Sequence, residues 1–237
     1  MKIALCSREK FSLKRVSEIV KKYCQSVDLF ILPEVFDTGF DINQFSCING
    51  EQTIFELQKI TSEYNSAICG SVYLKNNREN KLSNSFFFID QDKPAFICKK
   101  HHLFGPFEKQ FADNTETYKT FVFKEFKIRP LICYDLRFPV WCRNTDNYDL
   151  IINVSQWPLK RLHDLRVLLA ARALENSAYC INVNGLGCSS VFDFGGNKVF
   201  EMNETDEIGF FEIDKNLSDE YRTKRPYFAD ADKFELL

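Results

Sequence analysis

The sequence predicts an α/β fold in which one domain is built around a layered sheet. Short apolar runs rich in β-branched and aromatic residues alternate with segments of helical periodicity along the whole chain. No stretch resembles a Pro/Gly/Ser linker, a low-complexity tract or an internal repeat. The chain has 237 residues, 45% of them hydrophobic, and 24 Phe, which is enough to bury a thick apolar core. We therefore expect a single domain over residues 1–237.

Periodicity assigns the individual elements. Apolar side chains recur at helical spacing in residues 13–23, 53–63 and, most clearly, 162–176. Short apolar runs predict strands at residues 3–6, 29–32, 67–73, 85–89, 94–98, 119–123, 128–133, 150–154, 179–183, 190–192 and 209–213. Polar or glycine-rich turns are expected at residues 76–80 and 195–197. From about residue 218 little helix or strand pattern remains, so we expect this tail to dock on the body of the protein or on a partner subunit.

Charge and cysteine content exclude several classes of protein. A formal charge of −2 gives no electrostatic footprint for nucleic acid or an anionic membrane, and no apolar run is long enough to cross a bilayer. The nine cysteines are an odd number, and no CxxC pair occurs among them. This pattern disfavours a disulfide scaffold or a zinc ribbon and favours reduced thiols in the cytoplasm.

The first candidate catalytic residue is Glu34, which follows a predicted strand directly. The apolar run of residues 29–32 stops at Pro33, and Glu34 comes next. In open α/β sheets the carboxyl ends of the strands face the functional crevice. The alternative is an ordinary surface carboxylate in a strand–loop turn, which would be the better interpretation of an isolated Pro-Glu pair.

The second candidate is Lys100, where another predicted strand gives way to basic residues. A solvated basic face is the alternative, but the apolar Leu103 and Phe104 that follow would bury this stretch. The adjacent His101 and His102 could suggest a metal, yet neighbouring side chains on an extended chain point apart and chelate poorly. With three His in the chain, we expect no metal site.

The third candidate is Cys133, at the end of a buried strand. A sharp turn from this strand into a short helix would lift the thiol and expose backbone N–H groups beside it, as in the nucleophile elbow of hydrolases. An inert buried thiol is the alternative. Asp135 and Arg137, just downstream, are expected to pair with each other or to brace the turn.

Together these residues form one catalytic hypothesis. A Cys nucleophile needs a base and an electrophilic stabiliser. Apart from His101 and His102, the residues in comparable strand-end positions are Glu34 and Lys100. A trio of Glu34, Lys100 and Cys133 is therefore the most economical prediction from the residues alone.

The segments around Glu34, Lys100 and Cys133 resemble, in order and approximate spacing, the three signature blocks of the nitrilase superfamily of carbon–nitrogen hydrolases. Further resemblance lies in the Trp-Pro loop with its following helix and in a late Gly…Ser strand, at residues 153–158, 161, 168–176, 187 and 189–193. The resemblance extends from residue 1 to about residue 230. It implies a four-layer α-β-β-α sandwich whose subunits pair as a homodimer, with no cofactor or metal.

Within that superfamily the chain is most similar to the ω-amidase branch. Residues 32–40 and 133–141 resemble compact bacterial members that act on 2-oxoglutaramate, whereas true nitrilases show Cys-Trp-Glu where this chain has Cys-Tyr-Asp. The resemblance implies an amidase that releases ammonia from a small carboxylate-bearing amide such as 2-oxoglutaramate or 2-oxosuccinamate. The alternatives are an amidase for deaminated glutathione, an N-carbamoyl amidohydrolase or a non-catalytic binding subunit. Leu165, where relatives often carry Trp, and a short loop after Asn184 depart from the pattern.

The same resemblance assigns roles to the three central residues. Glu34 would take the proton of the Cys133 thiol, and the thiolate would attack the amide carbon. The Lys100 ammonium and the backbone N–H of Tyr134 would stabilise the oxyanion. A cation beside a thiol also favours the thiolate.

The remaining assignments concern the substrate pocket. Glu108 is expected to be an auxiliary carboxylate that orients Lys100 or the substrate, with a surface glutamate as the alternative. Phe40 and Trp157 are expected to line the pocket. Arg161 is the candidate cation for the substrate carboxylate, whereas Arg137 is expected to be a structural brace.

Overall fold

A computed structural model describes residues 1–40, 49–76, 81–91, 93–109 and 119–232. Its first sheet has six strands: β1 (Lys2–Cys6), β2 (Leu29–Ile31), β3 (Ala67–Asn76), β4 (Lys81–Asp90), β5 (Phe96–Lys99) and β12 (Ile208–Glu212). They lie in the order β12-β1-β2-β3-β4-β5. The three neighbours β1, β2 and β3 run parallel, and the other pairings are antiparallel.

The second sheet repeats this arrangement. Its strands are β6 (Phe121–Phe123), β7 (Phe126–Ile132), β8 (Leu150–Ser155), β9 (Tyr179–Asn184), β10 (Ser190–Phe192) and β11 (Lys198–Glu201). They lie in the order β11-β10-β9-β8-β7-β6, with β7, β8 and β9 parallel. Each sheet therefore presents the carboxyl ends of three adjacent parallel strands at one edge.

Helices cover the outer faces of both sheets. They are α1 (Leu13–Tyr23), α2 (Gly50–Tyr64), the single turns α3 (Gly105–Glu108) and α4 (Pro139–Cys142), α5 (Leu162–Asn176) and α6 (Lys215–Lys224). Among the residues described, no helix combines the length and apolar character needed to cross a membrane.

Three apolar clusters hold these layers together. One lies between the sheets and includes Leu5 and Ile152. The second joins α1 and α2 to the first sheet, and the third joins α5 to the second sheet through Leu165 and Leu169. Burial of these side chains drives the layers together. The predicted four-layer α-β-β-α class is confirmed.

Most elements match the sequence-based assignment, and α5 spans the predicted residues 162–176. The prediction that regular structure fades after residue 218 is wrong, because α6 continues to Lys224 and a 3-10 turn follows at Tyr227–Asp230. Ser218 is the one buried residue of α6, so this helix has no apolar stripe that a sequence pattern could reveal. Its Arg222 holds it to the body by hydrogen bonds to the Ser177 carbonyl and to Asp149.

Strand β11 was also missed, because it is an exposed edge strand without alternating burial. The predicted turn at residues 195–197 is present, and Gly196 there has φ = +80°, a conformation that favours glycine. Of the other predicted turn, residues 77–80 lie outside the described part of the chain.

Candidate active site

A cavity of about 430 Å³ opens at the edge where the parallel strands of both sheets end. Its apolar walls include Phe40, Phe104, Trp157 and Leu186. Every residue that the sequence predicted for the site lines this cavity except Glu34, which is fully buried. The cavity has the size and mixed polarity typical of small-molecule sites.

Cys133 lies at the turn that follows β7. Its φ of +49° is uncommon for a residue other than glycine, and the chain continues into a 3-10 turn over Cys133–Arg137. Asp135 braces this turn by accepting a hydrogen bond from the Ile132 backbone N–H at 3.2 Å. The thiol is thereby held at the cavity, as the sequence predicted from the strand-to-turn pattern.

Lys100 lies between two buried carboxylates. Its Nζ is 2.8 Å from Oε1 of Glu34 and 2.8 Å from each carboxylate oxygen of Glu108. Glu34, Lys100 and Glu108 are 0%, 2% and 4% exposed. Buried charges are tolerated when they are paired and hydrogen-bonded, so the ammonium holds both carboxylates in place.

The environment shifts the pKa values of these groups. Burial raises the pKa of Glu34 above its ordinary value, despite the opposing effect of the Lys100 cation. Burial alone would lower the pKa of Lys100, but attraction to Glu34 and Glu108 outweighs it and raises that pKa. The ammonium is therefore charged across the physiological pH range.

Opposing effects act on the pKa of the Cys133 thiol. The Lys100 cation does act to lower the pKa of the Cys133 thiol, but burial first and Glu34 second raise it well above the ordinary value. The expected effect of Lys100 on the Cys133 thiol is therefore present, but burial and Glu34 outweigh it in the resting site. Since Glu34 is within hydrogen-bonding reach of the Cys133 thiol, a neutral thiol lies beside a ready proton acceptor.

Two residues to which the sequence analysis gave no role also hold Glu34. The backbone N–H of Gln156 donates to Oε2 of Glu34 at 3.1 Å, and the Gln156 side chain donates to the Glu34 carbonyl at 3.0 Å. The Asn84 side-chain amide donates to Oε1 of Glu34 at 2.9 Å and to Oε1 of Glu108 at 3.3 Å. The one signal for Asn84 was an amide at the start of the apolar run of β4.

The turn after Cys133 is connected to the Lys100 segment. Oδ1 of Asp135 accepts a hydrogen bond from the His102 backbone N–H at 2.7 Å and lies 3.0 Å from Nδ1 of the same residue. Arg137 instead pairs with Asp164 at 3.0 Å. Asp135 and Arg137 therefore do not pair with each other, because each has a partner on another segment. The other expectation, that they brace the turn, holds for Asp135 through its contact with the Ile132 backbone N–H.

The two adjacent histidines stack on aromatic rings. His101 lies on Trp141 with ring centroids 3.6 Å apart, and His102 lies on Phe138 at 3.5 Å. Among the described residues, no group of three or more His, Cys, Asp or Glu side chains is arranged to hold a metal ion.

Two guanidinium groups lie at the cavity beside Trp157. Arg137 is 5.1 Å and Arg161 is 5.7 Å from the centroid of its ring. Both pair with Asp164, Arg137 at 3.0 Å and Arg161 at 3.5 Å. The two cations thus share one carboxylate, and Glu9 also lines this cavity. Leu165, a buried residue of α5, packs in the apolar cluster between that helix and the second sheet. It is not among the residues that line the cavity.

Known proteins match this chain over almost its whole length. The carbon–nitrogen hydrolase family model matches residues 10–223. An ω-amidase of Yersinia enterocolitica (YafV) is 34% identical over 227 residues, which are 90% of this chain and 88% of that protein. A 2-oxoglutaramate amidase of Bacillus subtilis is 27% identical over 94% of this chain and 92% of its own length.

Solved structures agree with the family match. XC1258 from Xanthomonas campestris, described as a carbon–nitrogen hydrolase superfamily protein with an arsenic adduct in its active site, superposes with a TM-score of 0.92. It is 27% identical, and the match covers 100% of this chain and 99% of that one. Nit3 of Saccharomyces cerevisiae, at 22% identity and 95% and 94% coverage, shares the fold with a TM-score of 0.85. The chain belongs to the carbon–nitrogen hydrolase family.

Proposed function

We propose that the protein is an ω-amidase that hydrolyses 2-oxoglutaramate or 2-oxosuccinamate and releases ammonia through a thioester on Cys133. The observation that carries this proposal is the buried cluster of Glu34 and Lys100 against Cys133 at the base of a single cavity. The names of the ω-amidase and 2-oxoglutaramate amidase relatives support the substrate class.

The first half of the reaction forms the thioester. Glu34 accepts the thiol proton of Cys133 as the sulfur attacks the amide carbon. The carbonyl oxygen becomes an oxyanion, which the Lys100 ammonium and the Tyr134 backbone N–H stabilise. One such donor typically contributes about 10²- to 10³-fold to kcat. Glu34 then returns its proton to the leaving nitrogen, the carbon–nitrogen bond breaks, and ammonia departs.

The second half regenerates the enzyme. Glu34, again a carboxylate, removes a proton from a water molecule, which attacks the thioester carbon at Cys133. The carbon–sulfur bond breaks, the sulfur recovers the proton from Glu34, and the carboxylic acid product leaves. One carboxylate thus acts as base and as acid in both halves, which suits a group whose pKa is raised by burial.

Glu108 serves as the auxiliary carboxylate. Both of its oxygens accept from Lys100, and Oε2 also accepts from the Phe104 backbone N–H at 2.6 Å. Glu108 therefore ties the ammonium to the loop that follows β5. This arrangement favours the orienting role over that of a surface glutamate, since Glu108 is 4% exposed.

Arg161 is the proposed anchor for the substrate carboxylate. Its pairing with Asp164 is longer than that of Arg137, and its side chain is 39% exposed against 28% for Arg137. Arg161 is thus freer to turn toward an anion, while Arg137 braces Asp164 and Trp157. A carboxylate is well matched by a guanidinium fork.

The test is ammonia release from 2-oxoglutaramate, 2-oxosuccinamate, deaminated glutathione, N-carbamoyl-β-alanine and a simple nitrile. Fast turnover of the two oxo-acid amides supports the proposal, and turnover of another compound alone rejects the substrate. Arg161→Met should raise KM for the oxo-acid amides and leave KM for a neutral amide unchanged. If Arg137→Met has that effect instead, the anchor is Arg137.

We also propose that the protein forms a homodimer and acts in the cytoplasm. Val167 and Leu174, which are seven residues apart on one face of α5, are 54% and 49% exposed. An apolar helix face of this kind suits a second copy of the chain. Light scattering on the wild type and on Leu174→Glu tests this, with a dimer and a monomer expected. Reduced thiols support the cytoplasmic location, since the eight cysteines within the described residues form no disulfide with one another; cell fractionation tests it.

A further inference from the structure

Asn84 contacts all three charged residues of the buried cluster. Its amide nitrogen lies 2.9 Å from Oε1 of Glu34 and 3.3 Å from Oε1 of Glu108. Its backbone carbonyl accepts a hydrogen bond from the Lys100 backbone N–H at 2.8 Å. Asn84 is 2% exposed, so these contacts are shielded from water.

The orientation of the Asn84 amide is determined by its neighbours. If the amide were turned over, its oxygen would face two carboxylate oxygens, which can donate nothing when ionised. In the observed orientation, Oδ1 is buried and accepts no hydrogen bond from the described residues. An unpaired buried acceptor is unfavourable. The observed orientation therefore indicates that the hydrogen bonds from the amide nitrogen to the two carboxylates outweigh the hydrogen bond that Oδ1 lacks.

The need for a second donor follows from the number of N–H groups on Lys100. An ammonium has three donors, and Lys100 makes three contacts of 2.8 Å, one to Glu34 and two to Glu108. To bind a substrate oxyanion, Lys100 must withdraw at least one of them. Oε2 of Glu108 keeps the Phe104 backbone N–H as a donor, but Oε1 of Glu34 or Oε1 of Glu108 would then need a donor other than Lys100.

We propose that Asn84 is a positioning residue that keeps Glu34 and Glu108 in place while Lys100 turns a donor toward the substrate. The inference rests on the proposed amidase mechanism and deepens it. Asn84 carries no charge and is held within β4, so its two N–H contacts can persist throughout the reaction. A hydrogen bond to an ionised carboxylate also favours the ionised form, which opposes the effect of burial on the pKa of Glu34.

The test compares Asn84→Ala and Asn84→Ser with Ser85→Ala. Ser85 is the next residue of β4, is fully buried, and points to the opposite face of the sheet, where its hydroxyl contacts Ser83. Two pH profiles are measured for each protein. One is kcat/KM for ammonia release from 2-oxoglutaramate, and the other is the rate at which iodoacetamide alkylates Cys133, followed by mass spectrometry.

For both Asn84 variants, the rate at neutral pH should fall about 10- to 100-fold, since a hydrogen bond to a charged group is lost. The acidic limb of both profiles should also move to higher pH, because Glu34 becomes harder to ionise. In Ser85→Ala, the acidic limbs of both profiles should lie at the same pH as in the wild type. Asn84→Ser retains a small polar side chain that is too short to reach both carboxylates. This variant therefore provides the same test if Asn84→Ala does not fold.

If the acidic limbs of both pH profiles stay at the wild-type pH in the Asn84 variants, the proposal is overturned even if the rate falls. Loss of structure alone lowers a rate without changing its pH dependence. Alkylation needs no amide turnover, so the two proposals can be separated. A wild type that hydrolyses no amide, with a shifted alkylation limb in Asn84→Ala, rejects the substrate and supports the positioning role. Normal hydrolysis with unmoved limbs rejects the positioning role alone.

Discussion

Lys100 and Glu108 form a bidentate pair in which Nζ of the lysine lies 2.8 Å from both carboxylate oxygens of the glutamate. Both side chains are buried, so the pair is shielded from solvent screening. Glu108 therefore sets the direction of the ammonium that is proposed to meet the oxyanion.

Replacing Glu108 by Gln should lower kcat by about 10- to 100-fold, because the partner of the Lys100 ammonium loses its negative charge and one of its two accepting oxygens. Lys100 would keep its charge through Glu34 but lose the fixed orientation, so kcat should fall more than KM rises. Steady-state kinetics measure both constants. Glu125→Gln, in the exposed turn between β6 and β7, is the control and should match the wild type. Wild-type kcat in Glu108→Gln would show that the pair has no part in catalysis.

Activity should fall on the acidic side at a pH above the ordinary glutamate range. Burial raises the pKa of Glu34 from its usual 4.5, and the carboxylate must be ionised to accept the Cys133 proton. The rate is therefore full above the raised pKa and is lost as the pH falls through it. The pH dependence of kcat/KM measures this limb. A limb at or below pH 4.5 would contradict the assignment of Glu34 as the base.

Cys133→Ala should abolish turnover and leave the fold intact, because it removes one small side chain at a turn beside the cavity. Loss of a catalytic nucleophile typically lowers kcat by about 10³-fold or more. Ammonia release measures activity, and circular dichroism with a thermal melt measures the fold. Cys24→Ala is the matched control, since this half-buried thiol caps α1 away from the cavity. Activity near that of the wild type would exclude Cys133 as the nucleophile.

Dialysis against a chelator such as EDTA should leave kcat unchanged, because the proposed chemistry uses the ammonium of Lys100 where metallohydrolases use a metal ion. The measurement is ammonia release before and after dialysis, with a zinc-dependent hydrolase treated in parallel. A loss of activity that added metal restores would require a different role for His101 and His102.

The convergence of Glu34, Lys100 and Cys133 could be predicted because each directly follows an apolar strand. The carboxyl ends of parallel strands meet at one edge, so strand-end residues far apart in sequence come together. The family resemblance then supplied the layer order, which periodicity alone leaves open. In the structure, β2 and β7 deliver Glu34 and Cys133 to one cavity from two different sheets.

Other features left no usable signal in the sequence. Asn84 lies within an antiparallel strand, and its two carboxylate partners are 50 and 24 residues away, so no local spacing reveals the contact. The raised pKa of Cys133 depends on the balance of burial, Glu34 and Lys100, which only three-dimensional distances decide. Helix α6 is polar on most of its surface and is held by Arg222. The contacts of α6 join residues that are far apart in the sequence, and the helix has no apolar stripe that a sequence pattern could reveal.

The central claim is that hydrolysis passes through a thioester on Cys133, and trapping that species tests it most directly. The enzyme is mixed with 2-oxoglutaramate, quenched in acid and digested, and the mass of the peptide that contains Cys133 is measured by mass spectrometry. In a parallel reaction, hydroxylamine is added to capture the acyl group. We expect a mass increase equal to the substrate minus ammonia on Cys133, and a hydroxamate product when hydroxylamine is present. Ammonia release without an adduct on Cys133 and without hydroxamate would contradict the account.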